Sequence, residues 1–192
     1  MLPTGKVTGL KCALAVKNAL TVQWKKVGAA SGYQVQISTK DGKKWDKSYT
    51  LKAGVTSYTF KSLSAGSPYK FRVRFFIKGE DGKNYFSPWS SALNSPTLPS
   101  GAALSKVTGA GKAFTAQWKQ NKTVNGYQIQ YSLKSNFSGA KTVTVKSNKT
   151  LKTTVKKLGA KKVYYVRIRT FKTMSKVNYY SAWNKAVKVK TK

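Results

Sequence analysis

Tyr69-Lys70-Phe71-Arg72-Val73-Arg74-Phe75-Phe76 occurs a second time as Tyr164-Tyr165-Val166-Arg167-Ile168-Arg169-Thr170-Phe171. The two stretches hold all four arginines of the chain, and every other basic residue is lysine. Bulk charge does not need arginine, so a planar, stackable, always-charged fork is required at this one repeated place. Tyr, Phe and Val alternate with Lys and Arg at a period of two, which predicts a strand with one face in a core and the guanidinium groups on the other. Each copy leads into a matching tail, Tyr85-Phe86-Ser87-Pro88-Trp89-Ser90 and Tyr179-Tyr180-Ser181-Ala182-Trp183-Asn184. A second aromatic strand is therefore expected beside each arginine strand.

Working outward, Trp24 and Trp118, Tyr33 and Tyr127, and Trp89 and Trp183 are each 94 residues apart. That period is too long for a solenoid and suits one β-sandwich per copy. In the first copy Leu10, Cys12, Leu14 and Val16, then Leu20, Val22 and Trp24, alternate with polar or small residues and predict two half-buried strands. Tyr33, Val35 and Ile37 form the next inward set, with Gln34 and Gln36 outward. Lys40-Asp41-Gly42-Lys43 predicts a tight hairpin. Tyr58, Phe60 and Leu63 precede the arginine strand, and Gly79-Glu80-Asp81-Gly82 turns the chain toward Trp89. The second copy repeats the scheme with Phe114, Ala116 and Trp118, then Tyr127, Ile129 and Tyr131, then Thr153, Val155 and Leu158. Its last hairpin, around Thr173-Met174-Ser175-Lys176, lacks the glycine and acids of the first, so the copies are expected to differ most there.

About seven short strands per copy, with turn residues between them and no helical period, predict an all-β chain of two consecutive seven-stranded immunoglobulin-like sandwiches. The expected boundaries are 1–95 for the first module and 102–192 for the second. The joining segment 96–101 contains Pro96 and Pro99 and reads as a short, stiff connector.

The 192 residues are 40% hydrophobic and 12% aromatic, enough to fill two cores. The charge is extreme: 37 Lys and Arg against 4 Asp and Glu, a formal net of +33. Residues 1–98 carry 16 basic and 4 acidic groups, net +12, while residues 99–192 carry 21 basic and no acidic group, net +21. Such a coat attracts polyanions and disfavours self-association, so a monomer is expected. No apolar run is long enough to span a membrane, and Met1-Leu2-Pro3 does not begin a signal peptide. The lone Cys12 has no partner for an internal disulfide, and a small buried thiol is its expected state.

Catalysis finds few tools. The chain has no histidine, which removes most acid–base and nucleophile-activating arrangements. Asp41 and Asp81 precede glycines in turns, Asp46 and Glu80 lie near lysines, and no acidic pair recurs in both copies. No loop collects enough oxygen ligands for calcium, and no phosphate or dinucleotide glycine pattern is present. No catalytic residue, metal site or cofactor is expected, and the chain reads as non-enzymatic.

The remaining constellation is the arginine face: Gln34, Gln36, Arg72, Arg74 and Trp89 in the first copy, Gln128, Gln130, Arg167, Arg169 and Trp183 in the second. One reading is a structural ladder in which guanidinium groups and rings interleave to cover the sheet. The other is a binding platform, with Trp stacking on sugar rings and Arg and Gln bonding to acidic or polar groups. The lysines are spread through strands and turns, which suits a general positive coat. Nucleic acid is expected to bind only nonspecifically, since no recognition helix, zinc finger or RNA-binding aromatic signature is visible.

These residues resemble the fibronectin type III family. The pattern is Trp24 and Trp118 in the second strand, Gly32-Tyr33 and Gly126-Tyr127 opening the third, and the spacings Leu63, Tyr69, Val73 and Leu158, Tyr164, Ile168. The resemblance implies that Tyr69 and Tyr164 form tyrosine corners, each hydroxyl bonding back to the backbone near its leucine. The lysine-rich, disulfide-free form with an Arg-x-Arg strand is similar to tandem modules of large secreted or wall-attached proteins of Gram-positive bacteria. That likeness implies a secreted or cell-surface location, with signal and anchor outside this segment, and a spacer or adhesion role toward anionic wall polymers, glycans or extracellular proteins. A specific adhesin and an accessory segment of an extracellular hydrolase remain as alternatives. The integrin tripeptide of some members is absent, and Lys78-Gly79-Glu80-Asp81 is only a turn.

Overall fold

The computed structural model describes residues 3–39 and 41–192. The chain forms two compact units, Met1–Leu98 and Pro99–Lys192. In the first, β1 (Lys11–Ala15), β2 (Leu20–Gln23) and β5 (Ser57–Phe60) make one antiparallel sheet in the order β1-β2-β5. β4 (Ser48–Lys52), β3 (Gly32–Ser38), β6 (Pro68–Lys78) and β7 (Asn84–Phe86) make the other, and β8 (Leu93–Pro96) also pairs with β6. β7 and β8 are two halves of one seventh strand, interrupted between them.

The second unit repeats the plan with β9 (Leu104–Ala110), β10 (Ala113–Trp118) and β13 (Lys152–Val155) in one sheet. Its other sheet contains β12 (Lys141–Val145), β11 (Gly126–Ser132), β14 (Val163–Met174), β15 (Val177–Tyr180) and β16 (Val187–Lys190).

Alternation in the sequence becomes alternation in burial. Tyr33, Val35, Phe71 and Val73 are fully buried, as are Tyr127, Ile129, Val166 and Ile168. Each such side chain contributes about 1.5–3 kcal/mol over leaving it in water. Trp24 packs on Tyr33 with ring centroids 5.6 Å apart, and Trp118 on Tyr127 at 5.2 Å. Gly32 and Gly126 open the third strands because nothing larger fits. A Cβ at Gly32 would collide with the Leu51 carbonyl and the Phe76 ring, and one at Gly126 with the Val145 carbonyl and Phe171.

Both tyrosine corners are formed: the Tyr69 hydroxyl accepts from Ser64 N at 2.8 Å and the Tyr164 hydroxyl from Gly159 N at 3.1 Å. The same corners are clamped from the far end of each module. Thr97 Oγ1 donates to Ser64 O at 2.6 Å and accepts from Ser67 N at 3.0 Å. Thr191 Oγ1 does the same with Gly159 O and Lys162 N, at 2.6 and 3.0 Å. Within the segment read as a connector, Thr97 and Leu98 therefore bond to the first module, Leu98 N donating to Val16 O at 3.1 Å. Ser100 O accepts from Asn121 Nδ2 and Thr170 Oγ1 of the second.

Three local expectations are corrected. Leu14 and Val16 do not continue the inward row of Leu10 and Cys12, for Leu14 is 55% exposed. The pairing slips between Cys12↔Val22 and Leu14↔Thr21, a bulge that turns Leu14 out and brings Ala15 against the core. Cys12, expected to be buried, is only half-buried, its Sγ donating to Leu14 O at 3.4 Å.

The hairpin expected at Lys40-Asp41-Gly42-Lys43 is not tight. Lys40 lies outside the described residues, and β3 and β4 are joined by a longer loop from 39 to 47. Asp41 and Gly42 take left-handed φ of 55° and 77°. Asp46 then holds the loop by accepting from Thr39 N and Thr39 Oγ1 at 3.0 and 2.9 Å.

Candidate functional site

The outward positions of β6 are Arg72 and Arg74, and β3 places Gln36 and Gln34 directly across from them. Arg72 Nε donates to Gln36 Oε1 at 2.7 Å, and Arg74 Nε and Nη2 both donate to Gln34 Oε1 at 2.9 and 2.6 Å. β14 and β11 repeat the arrangement. Arg167 Nε donates to Gln130 Oε1 at 2.8 Å, and Arg169 Nε and Nη2 to Gln128 Oε1 at 2.9 and 2.7 Å. The paired Gln–Arg periodicities of two neighbouring strands thus become cross-strand bonds.

The tails supply the rings by breaking their own strand. In the first module Ser87 N donates to Phe75 O and Ser90 N to Val73 O, while the serine hydroxyls accept from Phe75 N and Val73 N, each at 3.1 Å. In the second, Ser181 Oγ accepts from Thr170 N at 3.0 Å and Asn184 Oδ1 from Ile168 N at 2.6 Å. Side-chain oxygens here stand in for peptide carbonyls, so the N–H groups of Val73, Phe75, Ile168 and Thr170 keep partners while the two residues between them swing away from the ladder. The second of those residues is Trp89 or Trp183.

Each tryptophan lands between two guanidinium groups. Trp89 lies 4.3 Å from Arg72 Cζ and 4.4 Å from Arg74 Cζ. Trp45 covers the other side of Arg72 at 4.1 Å, and Phe86 the other side of Arg74 at 4.0 Å. The second module has Phe137, Arg167, Trp183, Arg169 and Tyr180 in the same order, with successive separations of 3.8, 4.8, 4.3 and 4.0 Å. Both faces are five-layer stacks of alternating ring and cation. All four arginine pKa values are lowered by desolvation between the rings; Arg74 adds to this at Arg72, while at Arg169 Tyr180 opposes it. A guanidinium remains charged at neutral pH under such a shift.

The ten residues singled out from sequence are brought together as five on each module. The outer caps Trp45, Phe86, Phe137 and Tyr180 were not among them. Phe86 and Tyr180 occupy matching places in the tails, a signal that was available. Trp45 lies eight residues beyond Ile37 and Phe137 six beyond Tyr131, so these two caps fall out of the 94-residue register and carry no repeat signal.

Lysine takes little part in these stacks. Among the described residues two ion pairs are formed, Lys70 with Asp41 at 3.0 Å and Lys83 with Asp81 at 3.8 Å, both in the first module.

Comparison with known proteins agrees with this fold. Residues 5–92 match the family model of the fibronectin type III domain. A two-fibronectin-type-III-domain segment from chicken tenascin is similar over 96% of this chain and 99% of its own, with 20% identity and a TM-score of 0.54. The FN1–FN3 domains of chicken CNTN1 are similar over 100% of this chain and 68% of theirs, with 19% identity and a TM-score of 0.50. No curated protein sequence matches the chain.

Proposed function

We propose that the chain, whose residues 5–92 match the fibronectin type III family model and whose second module copies the first in fold and residue pattern, is an extracellular spacer and adhesion segment that clings to anionic wall or glycan polymers through its lysine coat. Domains of this family are commonly extracellular spacer or binding modules and are typically non-catalytic. The observation that carries the reading is the division of labour among the cations. The arginines are committed to rings and glutamines within each module, whereas the lysines stand on the surface with almost no carboxylate to neutralise them. A diffuse ammonium coat holds polyanions by counterion release and has no means of reading their sequence.

The test is binding of the whole chain to purified wall teichoic acid, duplex DNA and a panel of neutral glycans at low and near-physiological salt. The expected result is comparable binding to both polyanions, lost as salt rises, and none to the neutral glycans. One neutral glycan that binds and survives the salt would replace this reading with the alternative, a specific adhesin. That alternative is favoured by one feature of the stacks: Nη1 of each arginine has no hydrogen-bond partner among the described residues, so each stack has donors left over. Trp89 and Trp183 would then be the residues to remove.

A further inference from the structure

A cavity of about 350 Å³ opens in the second module at the end where β11 finishes and β14 begins. Tyr131, Tyr164, Leu133 and Leu158 supply its rings and aliphatic surface, and Lys134, Lys141 and Lys157 its cations. Its side-chain chemistry is one-sided. No Asp, Glu, Asn, Gln or His lines it, and its one well-placed serine is already used, Ser132 Oγ donating to Ser138 O and accepting from Lys134 N. The Tyr131 hydroxyl has no hydrogen-bond partner among the described residues. Desolvation, and then neighbouring Tyr164, raises its pKa, so it stays a neutral donor.

A neutral sugar presents donors as well as acceptors and would find few acceptors here. A site made of donors, rings and leucines suits a ligand that only accepts and carries an apolar body. The volume is at the small end for ligand pockets, enough for one ring with a short substituent. Leu133, 55% exposed, extends the apolar surface to the rim.

We propose that this pocket binds a small aromatic carboxylate, its ring against Tyr131, Leu133 and Leu158 and its carboxylate toward Lys134, Lys141 and Lys157. The site belongs to the second module. Ile37, Thr39 and Ser62 stand in the first module where Tyr131, Leu133 and Lys157 stand in the second, and Ser62 and Lys157 share a left-handed φ of 57° and 58°. The inference is independent of polyanion adhesion, because it depends on a shaped apolar cavity and not on net charge.

The experiment is amide NMR of the isotopically labelled whole chain, titrated with phenylacetate at near-physiological salt, with acetate, inorganic phosphate and the neutral phenylacetamide as comparisons. Phenylacetate is expected to saturate, with shifts confined to the region of Leu133, Ser138, Gly139 and Leu158. Phenylacetamide, lacking the charge, should bind about tenfold more weakly. Leu133→Asp, at an exposed position where folding is not at risk, should weaken phenylacetate about tenfold by setting an anion against its carboxylate. The proposal is overturned if acetate or phosphate produces the same shifts, if phenylacetamide binds equally well, if the shifts spread over both modules, or if Leu133→Asp has no effect.

Discussion

The two modules keep the middle of the arginine stack and change its ends. Arg72, Trp89 and Arg74 with Gln36 and Gln34 are matched residue for residue by Arg167, Trp183 and Arg169 with Gln130 and Gln128. The caps are Trp45 and Phe86 in one and Phe137 and Tyr180 in the other. The central indole faces two guanidinium groups, so replacing it breaks two contacts at once. A cap faces one, and Trp, Phe and Tyr all occupy that place.

The cores diverge further. In the first module Tyr49, Tyr58 and Phe60 form a close cluster, with Tyr58 4.8 Å from both of the others and Tyr49 to Phe60 at 5.6 Å. Val143, Thr153 and Val155 occupy those places in the second, where the rings have moved to Phe114 and Tyr131, 5.6 Å apart. Inward positions need apolar volume, and different sets of side chains supply it. The centre of the stack, by contrast, is identical in both modules, with charge facing π-electrons on both sides of the indole.

The sharpest way to break this comparison is Trp183→Ala against Phe137→Ala. The central loss should lower the second module's stability by about 2–3 kcal/mol, the cap loss by about 1 kcal/mol. Amide exchange resolved by residue in the intact chain would separate the two modules, and equal losses would remove the distinction between centre and cap. Next in size is the double substitution of Arg167→Lys and Arg169→Lys. It keeps the charge and discards the planar stack, so stability should fall by about 1–2 kcal/mol while teichoic acid binding is unchanged. Unaltered stability would mean that the stack does not hold the module together.

The smallest effect expected is a difference in acid response. Asp81 has its pKa lowered by the Lys83 N–H first and the Tyr85 hydroxyl second. A depressed carboxylate stabilises the fold above its unfolded pKa, and that contribution disappears as pH falls through the folded value. The second module has no Asp, Glu or His. At constant ionic strength, thermal unfolding followed by residue should show the first module weakening below about pH 4, where carboxylates take up protons, and the second unmoved by side-chain titration. A parallel decline in both would refute this assignment.

Much of the architecture was legible because it rests on short-range periodicity. The Arg-Val-Arg and Gln-Val-Gln alternations place core and surface without knowledge of the partner strand, and the Leu-to-Tyr spacing locates each corner. The bulge at Cys12 and Leu14 was hidden, since a run of alternating residues does not show where one of them falls out of the ladder. So was the loop from 39 to 47, where an Asp-Gly pair suggests a tight turn but Asp46 and Thr39 bond into a wider one.

By itself the sequence determined that there are two β-sandwich modules, which residues form most of their cores, and that Gln, Arg and Trp share a face in each. These follow from alternation and from duplication in register. Only the tertiary structure decided that serine and asparagine side chains carry the ladder across the break, that each tryptophan lies between two cations, and that Trp45 and Phe137 close the stacks. Those contacts join residues distant in the chain, and their geometry depends on where loops land in space, which no local pattern encodes.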